Sequence, residues 1–528
     1  MNKLVVKLKQ HTPLIHFQHS QEGATLRASE VKPKLDKYII KKVFDDDWDK
    51  CKEYLIGYKK SKKEDDKEKK EDEIKLNRDL ERKFKKEGYR ALNYKMRISD
   101  NLDNIFYLDT NKKKEYKKND EKKDIDKGFR VEIVNYGEER NKPEGKIRLV
   151  IKDENGKLFY GKWRKEDSKI IYDLDSYPCF FANMGCDIYD SYEYKKVSFA
   201  KEPFEMIIIT NHSELFNILK DKRVLSSFFL NTNFGTRQSK GFGSFYIYEK
   251  DELYVNPKSF YYFNLPISEV CNYDKFYVLF HNIELFTKTL RAGINEKRVK
   301  NTVFYFKSLA FMYCKDILNA EWDKKRVKKE FYFEVSPRRN DSLQKQKSQY
   351  NDDEDHDILF FDSNDGYDIR DLLGFSTNEE WQSYNDSIEK KVAILRNDKP
   401  NFPRKEDTLP VDRMRSPLLI KPICHVDEDD NVSYTIHLLF QDEEVGMGGL
   451  KHQQKICFYS KREKNDDSYR KSFMLNIPKS FSMLGYFGYI FNTLQFDISK
   501  HIEEKYHQHD YYGILKNIYT QLKNNMSK

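Results

Sequence analysis

The chain of 528 residues holds only seven cysteines, at positions 51, 179, 186, 271, 314, 424 and 457, and no two form a C-x-x-C pair. Cys179 and Cys186 are the nearest neighbours, but no histidine stands at ligand spacing beside them, so the sequence implies no zinc site. It implies reduced, mostly buried thiols. Long apolar runs are lacking too. No stretch approaches the ~18 residues that a membrane span needs, and "MNKLVVKLKQHTPL" has no apolar centre long enough for a signal peptide. A soluble, cytoplasmic protein with no membrane partner is expected. Nucleotide motifs are missing: neither the P-loop G-x-x-x-x-G-K-[ST] nor the dinucleotide fingerprint G-x-G-x-x-G occurs. No Ser/His/Asp or Cys/His set has recognisable spacing, and no metal or cofactor is implied. Finally, no strong excess of one charge exists. There are 96 Lys+Arg against 87 Asp+Glu, a balance that permits a nucleic-acid partner without demanding one.

What is present is a mixed pattern of helices and strands, rich in Phe and Tyr. "KLVVKLKQHTPLIHF" alternates around Leu4, Val6 and Leu8 as a half-buried strand does. A helix follows in "TLRASEVKPKLDKYIIKKVF", with Ser29 as its cap and Pro33 disturbing its start. Residues 59–86 carry 13 basic and 9 acidic residues, with Glu71–Lys75, Asp79–Lys83 and Glu81–Lys85 at helix-supporting spacing, which predicts a solvated helical insertion. "KIRLVIKDENGKLFYGKW" predicts a hairpin turning at Asn155-Gly156. "EPFEMIIIT" predicts a buried strand, and "ELFNILKDKRVLSSFF" one helix capped by Ser213. Then come "FGTRQSKGFG" and a strand in "SFYIYEKDELYV".

Further on, "DKFYVLFHNIELFTKTLRAG" suggests a strand and a helix, and "VKNTVFYFKSLAFMYCKDILNAEW" a long amphipathic helix. A polar surface loop is expected over "SPRRNDSLQKQKSQYNDDEDHD", whose acidic run is read as solvating the chain rather than holding a cation. "MRSPLLIKPICHVDEDDNVSYTIHLLF" predicts two strands joined by an acidic turn, and the segment from "IFNTLQFDISKHIEEKYH" onward is helical. The two halves read as two copies of one α+β plan.

The stretch "FGTRQSKGFG", Phe234 to Gly243, carries the functional question. A P-loop would follow a strand and open a helix, aiming the helix N-terminus at phosphate. Here Lys240 precedes Gly241, and the loop follows a helix and leads into a strand. What remains is a loop with two cations, Arg237 and Lys240, and with Gly235, Gly241 and Gly243, which lack a Cβ and so let another surface approach. Two readings stay open: contact with a phosphate backbone, or a turn packed on its own sheet.

"GTRQSKGFGSF" resembles the glycine-rich loop of the RAMP superfamily, the repeat-associated proteins of CRISPR effector complexes. There the loop lies between the last helix and last strand of a ferredoxin-like (RRM-like) domain. "LKQHTPLIHF" with "LRASEVKPKLDKYI" resembles the first strand and helix of that family, and "RMRSPLLIKP", Arg413 to Pro422, resembles the strand pair opening the second domain of its Cmr1-like branch. The chain departs from the pattern at His16–His19 and at Pro33, where glycines are usual, and near Asp36, where a basic residue is common.

The resemblance implies an α+β chain of two ferredoxin-like (RRM-like) domains with large, mostly helical insertions. The first spans residues 1–258, with a charged insertion at about 45–128. The second spans 259–528, with helical and polar insertions at about 284–410. It also implies an RNA-binding subunit of a type III CRISPR antiviral effector. Such a subunit contacts guide RNA (crRNA), with target RNA as a further candidate, and other RAMP subunits, near one end of the complex. Candidate RNA-binding residues are Arg27, Lys32, Lys34, Gly235, Arg237, Lys240, Gly241, Gly243, Arg413, Arg415 and Lys421. Catalysis is not favoured. If the chain is an enzyme, it is an endoribonuclease that processes guide RNA, with His11, His16 and His19 as weak candidates for general acid or base. Relatives that cleave target RNA use an aspartate after the first strand, and between Phe17 and Leu26 this chain has Glu22 but no aspartate. A scaffold that binds only proteins is the other alternative.

Overall fold

The computed structural model describes residues 1–15, 26–60, 67–99, 105–108, 130–134, 148–152, 158–166, 169–174, 197–200, 202–267, 274–298, 301–320, 322–324, 326–327, 367–381, 386–394, 408–409, 413–414, 416–429, 431–441, 454–461, 472–478 and 481–526. His16, His19, Glu22, the Asn155-Gly156 turn, Cys179, Cys186, Cys271, Arg415 and the polar segment around residue 350 lie outside the described residues. The chain divides into two compact units. The first comprises Met1–Glu132, Arg148–Phe280 and Ile420–Leu438, and the second the remainder.

In the first unit, β1 (Asn2–Gln10) alternates as its sequence requires, with Leu4, Val6 and Leu8 buried. α1 (Ala28–Lys42) turns Val31, Leu35, Ile39 and Ile40 inward. It starts one residue before the expected Ser29 cap: Arg27 holds the cap position with extended backbone, and Pro33 is accommodated inside the helix. β2 (Lys95–Ser99) and β3 (Phe204–Thr210) follow, then α2 (Ser213–Leu219), α3 (Lys222–Leu230) and β4 (Phe245–Ile247). The sheet order is β4–β1–β3–β2, with every neighbouring pair antiparallel. The register sets Val6 beside Met206, which faces Ile98 on its other side. α1 and α3 meet where the Tyr38 hydroxyl bonds Ser227 at 2.7 Å and its ring meets Phe228 edge-on.

The single helix expected over "ELFNILKDKRVLSSFF" is two. The Asp221 carboxylate accepts from the Arg223 N–H at 2.8 Å, which caps a new start and ends the old helix. Ser213 is the first helical residue rather than the cap, a place taken by His212.

A second sheet in this unit joins β5 (Tyr261–Ile267), β6 (Leu418–Val426) and β7 (Val432–Phe440) in the order β5–β7–β6. The predicted acidic turn between β6 and β7 is built on Asp427, whose carboxylate accepts from the N–H groups of Asp429 and Asn431. The charged segment after α1 forms the helix Lys67–Arg82, supported by Lys83–Asp79 at 3.0 Å. Strand Arg148–Lys152 pairs with Leu158–Glu166, the predicted hairpin.

The second unit contains an antiparallel meander of Asn378–Trp381, Asp386–Ile394, Gln454–Lys461 and Ser472–Asn476, and a C-terminal helix, Asp510–Met526. Two expectations are corrected. "DKFYVLFHNIELFTKTLR" is helix throughout, Asp274–Arg291. The long helix expected after it begins instead as strand Asn301–Phe306, paired with Ile294–Arg298, because Phe304 and Phe306 alternate inward while Tyr305 is exposed. Ser308 then caps the helix Leu309–Asp316 through the Phe311 N–H. The insertion expected near 284–410 is therefore strand-rich among its described residues, not mostly helical. The α+β class stands. Cys51, Cys314, Cys424 and Cys457 are free and buried. No helix among the described residues is long and apolar enough to cross a membrane.

Candidate nucleic-acid interface

Two of the segments that carry the resemblance, together with the Ile420–Pro422 end of the third, lie in the first unit. After β1 the chain runs on as His11-Thr12-Pro13-Leu14-Ile15, and the glycine loop lies along it. The Gly243 N–H donates to Pro13 O and the Thr236 N–H to Ile15 O, both at 2.8 Å. The Thr12 hydroxyl donates to Gly241 O at 2.7 Å and accepts from the Ser244 N–H at 2.8 Å. The mouth of the loop is closed by Phe234 N–H to Gly243 O. α1 adds Glu30, whose carboxylate accepts from the Gly235 N–H at 2.6 Å.

Two glycines are required by this packing. A Cβ on Gly243 would sit 2.0 Å from Phe234 O, and one on Gly235 would sit 2.6 Å from Ile15 O; both residues have positive φ. The glycines thus let the loop close on its own sheet, and all three are buried. Arg237 is the non-glycine residue of the loop in the left-handed region, at φ 58°. Arg237 and Lys240 are partly exposed on the rim, and the Lys240 N–H bonds Arg237 O.

The third segment is β6. The Asn233 amide donates to Gln238 O and Ile420 O, at 2.7 and 2.8 Å, and the Ile420 N–H reaches Ser239 O. Lys421, expected from the sequence to contact RNA, is fully buried. Its amine donates to Thr232 O at 2.9 Å and Phe245 O at 2.8 Å, which stitches the two ends of the loop together. Burial, and then the nearby charge of Lys34, push its pKa well below the ordinary lysine value. Charged or neutral, the amine keeps at least the two N–H donors that these carbonyls need.

The remaining candidates divide by position. Lys34 reaches the loop: its amine donates to Asn233 O at 3.2 Å and lies over the Phe234 ring. Arg27 sits at the start of α1, partly exposed. Lys32 points elsewhere, to Asp36 at 2.6 Å and Leu92 O at 2.9 Å. Arg413 lies on a two-residue strand, Arg413–Met414, in the second unit.

His11 is also structural. Its Nδ1 accepts from the Cys424 N–H at 3.0 Å and its carbonyl from the Tyr434 hydroxyl at 3.1 Å. Burial, followed by the charges of Lys9 and Lys421, holds its pKa well below 6.5. A buried, neutral histidine is poorly placed to exchange protons with a substrate. No group of His, Cys, Asp and Glu among the described residues is arranged to hold a metal ion. Sequence reasoning missed Thr12, Glu30 and Asn233. Their signal was weak: a Thr and an Asn bordering turn residues, and a Glu on the helix that faces the loop.

The fold and the clamp define an α+β protein whose glycine loop is pinned between the end of β1 and the strand β6. A family model of the Cmr1 N-terminal domain matches residues 1–158 and 132–294, and one of the Cmr1 C-terminal domain matches residues 305–520. The chain belongs to the Cmr1 family, and is thus a Cmr1-like subunit of a type III CRISPR complex. No curated protein and no solved structure matches it.

Proposed function

We propose that this subunit binds guide RNA (crRNA) through the rim of the glycine-loop clamp, with Lys34, Arg237 and Lys240 meeting phosphates, and that target RNA passes nearby. One observation carries the reading. The clamp anchors the loop backbone at both ends by protein–protein hydrogen bonds while leaving Arg237 and Lys240 partly exposed. A fixed cationic rim of this kind suits a phosphate backbone, which supplies most of the affinity in such interfaces.

The domain reading supports it. We read β1-α1-β2-β3-helices-β4, with sheet order β4–β1–β3–β2, as a ferredoxin-like domain, and β5–β7–β6 with helix Asp274–Arg291 after β5 as three quarters of the same plan. We take the two copies as residues 1–258 and 259–528. Membership of the family places the chain among other type III subunits, and RAMP-type neighbours are the partners we propose. RNA binding is favoured over RNA cleavage by the burial of His11.

The test is RNA binding by the full chain with Arg237→Gly and Lys240→Ala combined, since glycine keeps the positive φ while removing the guanidinium. Weaker binding with a salt dependence shallower by about one unit is expected. Unchanged affinity and slope would reject the assignment, and cleavage of repeat RNA without added metal would favour a nuclease.

A further inference from the structure

The outward face of the four-stranded sheet is a grid fixed by register. Lys3 stands beside Ile209, which faces Lys95. Val5 stands beside Ile207, which faces Arg97. Lys7 stands beside Glu205, which faces Ser99. These nine positions hold four cations and one carboxylate, in a chain whose overall ratio is 96 to 87. Lys3, Lys7, Lys95 and Arg97 are exposed, and among the described residues none of them has an ion-pair partner. Other cations of this unit are paired: Lys32 with Asp36, Lys52 with Asp49, Arg90 with Asp46.

Lysines on an edge strand are a common guard against edge-to-edge aggregation, and that would explain β2. β4 pairs β1 only over Leu8–Gln10, so Lys3 also stands beside an unpaired stretch of strand. An edge guard does not account for Lys7, whose backbone is already met: its N–H donates to the Asp251 carboxylate at 2.7 Å and its carbonyl accepts from the Tyr248 N–H at 2.9 Å. None of these nine positions is aromatic; Val5, Ile207 and Ile209 form the middle, and the tyrosines of this face, Tyr246 opposite Lys9 and Tyr248 beneath the Lys9 amine, stand at the β4 side. Over the nine positions bases have nothing to stack on, and attraction of a phosphate chain there would be blind to sequence. β1 continues directly into the Pro13–Ile15 segment that holds the glycine loop, so face and loop rim are joined along one strand.

The geometry points to a second RNA-contacting surface: this sheet face tracks the backbone of a single-stranded RNA, without base preference. The inference rests on the RNA reading of the clamp and extends it. The experiment is fluorescence anisotropy of the full chain with labelled oligouridylate and oligoadenylate across a salt series. Lys7→Glu with Arg97→Glu should lower affinity about tenfold or more, equally for both RNAs, and reduce the salt slope by about one unit or more. The neutral pair Lys3→Gln with Lys95→Gln should give a smaller loss in the same direction at an unchanged melting temperature.

Unchanged RNA affinity in both pairs, while Arg237→Gly/Lys240→Ala binds more weakly, overturns the sheet face and leaves the clamp reading standing. Loss of an acidic partner subunit with RNA affinity intact also overturns it, in favour of a protein interface. A wild-type chain that binds neither RNA rejects both readings.

Discussion

Two buried lysines show how differently the two units handle charge. In the first unit Lys421 meets only carbonyl oxygens, those of Thr232 and Phe245. In the second, Lys390 meets the carboxylate of Asp371 at 2.7 and 2.9 Å and that of Glu379 at 3.1 Å. Burial depresses both. For Lys421 nothing opposes it and the pKa falls, whereas for Lys390 the charges of Asp371 and Glu379 outweigh burial and the pKa rises. Around Lys390 the network widens. Arg370 reaches Asp323 at 2.5 Å and Glu379 at 2.8 Å, and Arg291 reaches Asp371 at 3.4 Å. The Asp368 carboxyl is pushed well above the usual carboxylate range, first by burial and then by the charges of Asp371 and Asp323. The carboxyls of Asp323, Asp368, Asp371 and Glu379 thus gather around Arg291, Arg370 and Lys390. One unit fixes a loop with a single buried amine bonded to carbonyls, and the other fixes a strand pair with a network of ion pairs.

The comparison breaks most sharply at Lys390. Lys390→Met leaves Asp371 and Glu379 buried without their shared partner and should cost about 3–5 kcal/mol, seen in denaturant unfolding of the full chain. A Cβ at Gly243 overlaps Phe234 O, so Gly243→Ala should cost on the order of 3 kcal/mol and disturb the first unit. Lys421→Met loses two hydrogen bonds to carbonyls and no ion pair, and about 1–3 kcal/mol is expected.

The pH dependence has opposite signs at the two lysines. Because the folded pKa of Lys421 lies below that of the unfolded chain, its contribution to stability rises with pH from that depressed value up to about 10.4. Lys390 has a raised folded pKa, so its contribution is full below about 10.4 and is lost as pH climbs through the folded value. Unfolding midpoints followed into the alkaline range should show that Lys421→Met removes a rising component and Lys390→Met a falling one. The smallest effect belongs to the exposed turn Lys83–Glu87 that follows helix Lys67–Arg82, where Lys85→Ala should leave the melting temperature unchanged.

Much of the first unit was legible because its strands alternate cleanly. Leu4, Val6 and Leu8 announce β1, and the apolar run of "EMIIIT" announces β3. The position of the loop between a helix and a strand was legible too, and it removed the nucleotide reading. The role of Lys421 was not, since a lysine in "LLIKPIC" looks the same whether its amine faces water or two carbonyls 176 and 189 residues away. The ion network escaped for a related reason. In "DSIEKKVAI" the inward positions are Ile388, Lys390 and Val392, and the alternation that reveals a strand is hidden when one core position is charged.

The clamp itself is tested most directly by amide hydrogen exchange of the full chain over residues 232–245. The N–H groups of Phe234, Gly235, Thr236, Gly243 and Ser244 are all bonded within the protein, to Gly243 O, Glu30, Ile15 O, Pro13 O and Thr12. They should exchange slowly, as β1 does, and Lys421→Met should speed all five. Rapid exchange of these amides in the wild-type chain, at the rate of an open surface turn, would contradict a loop clamped between β1 and β6.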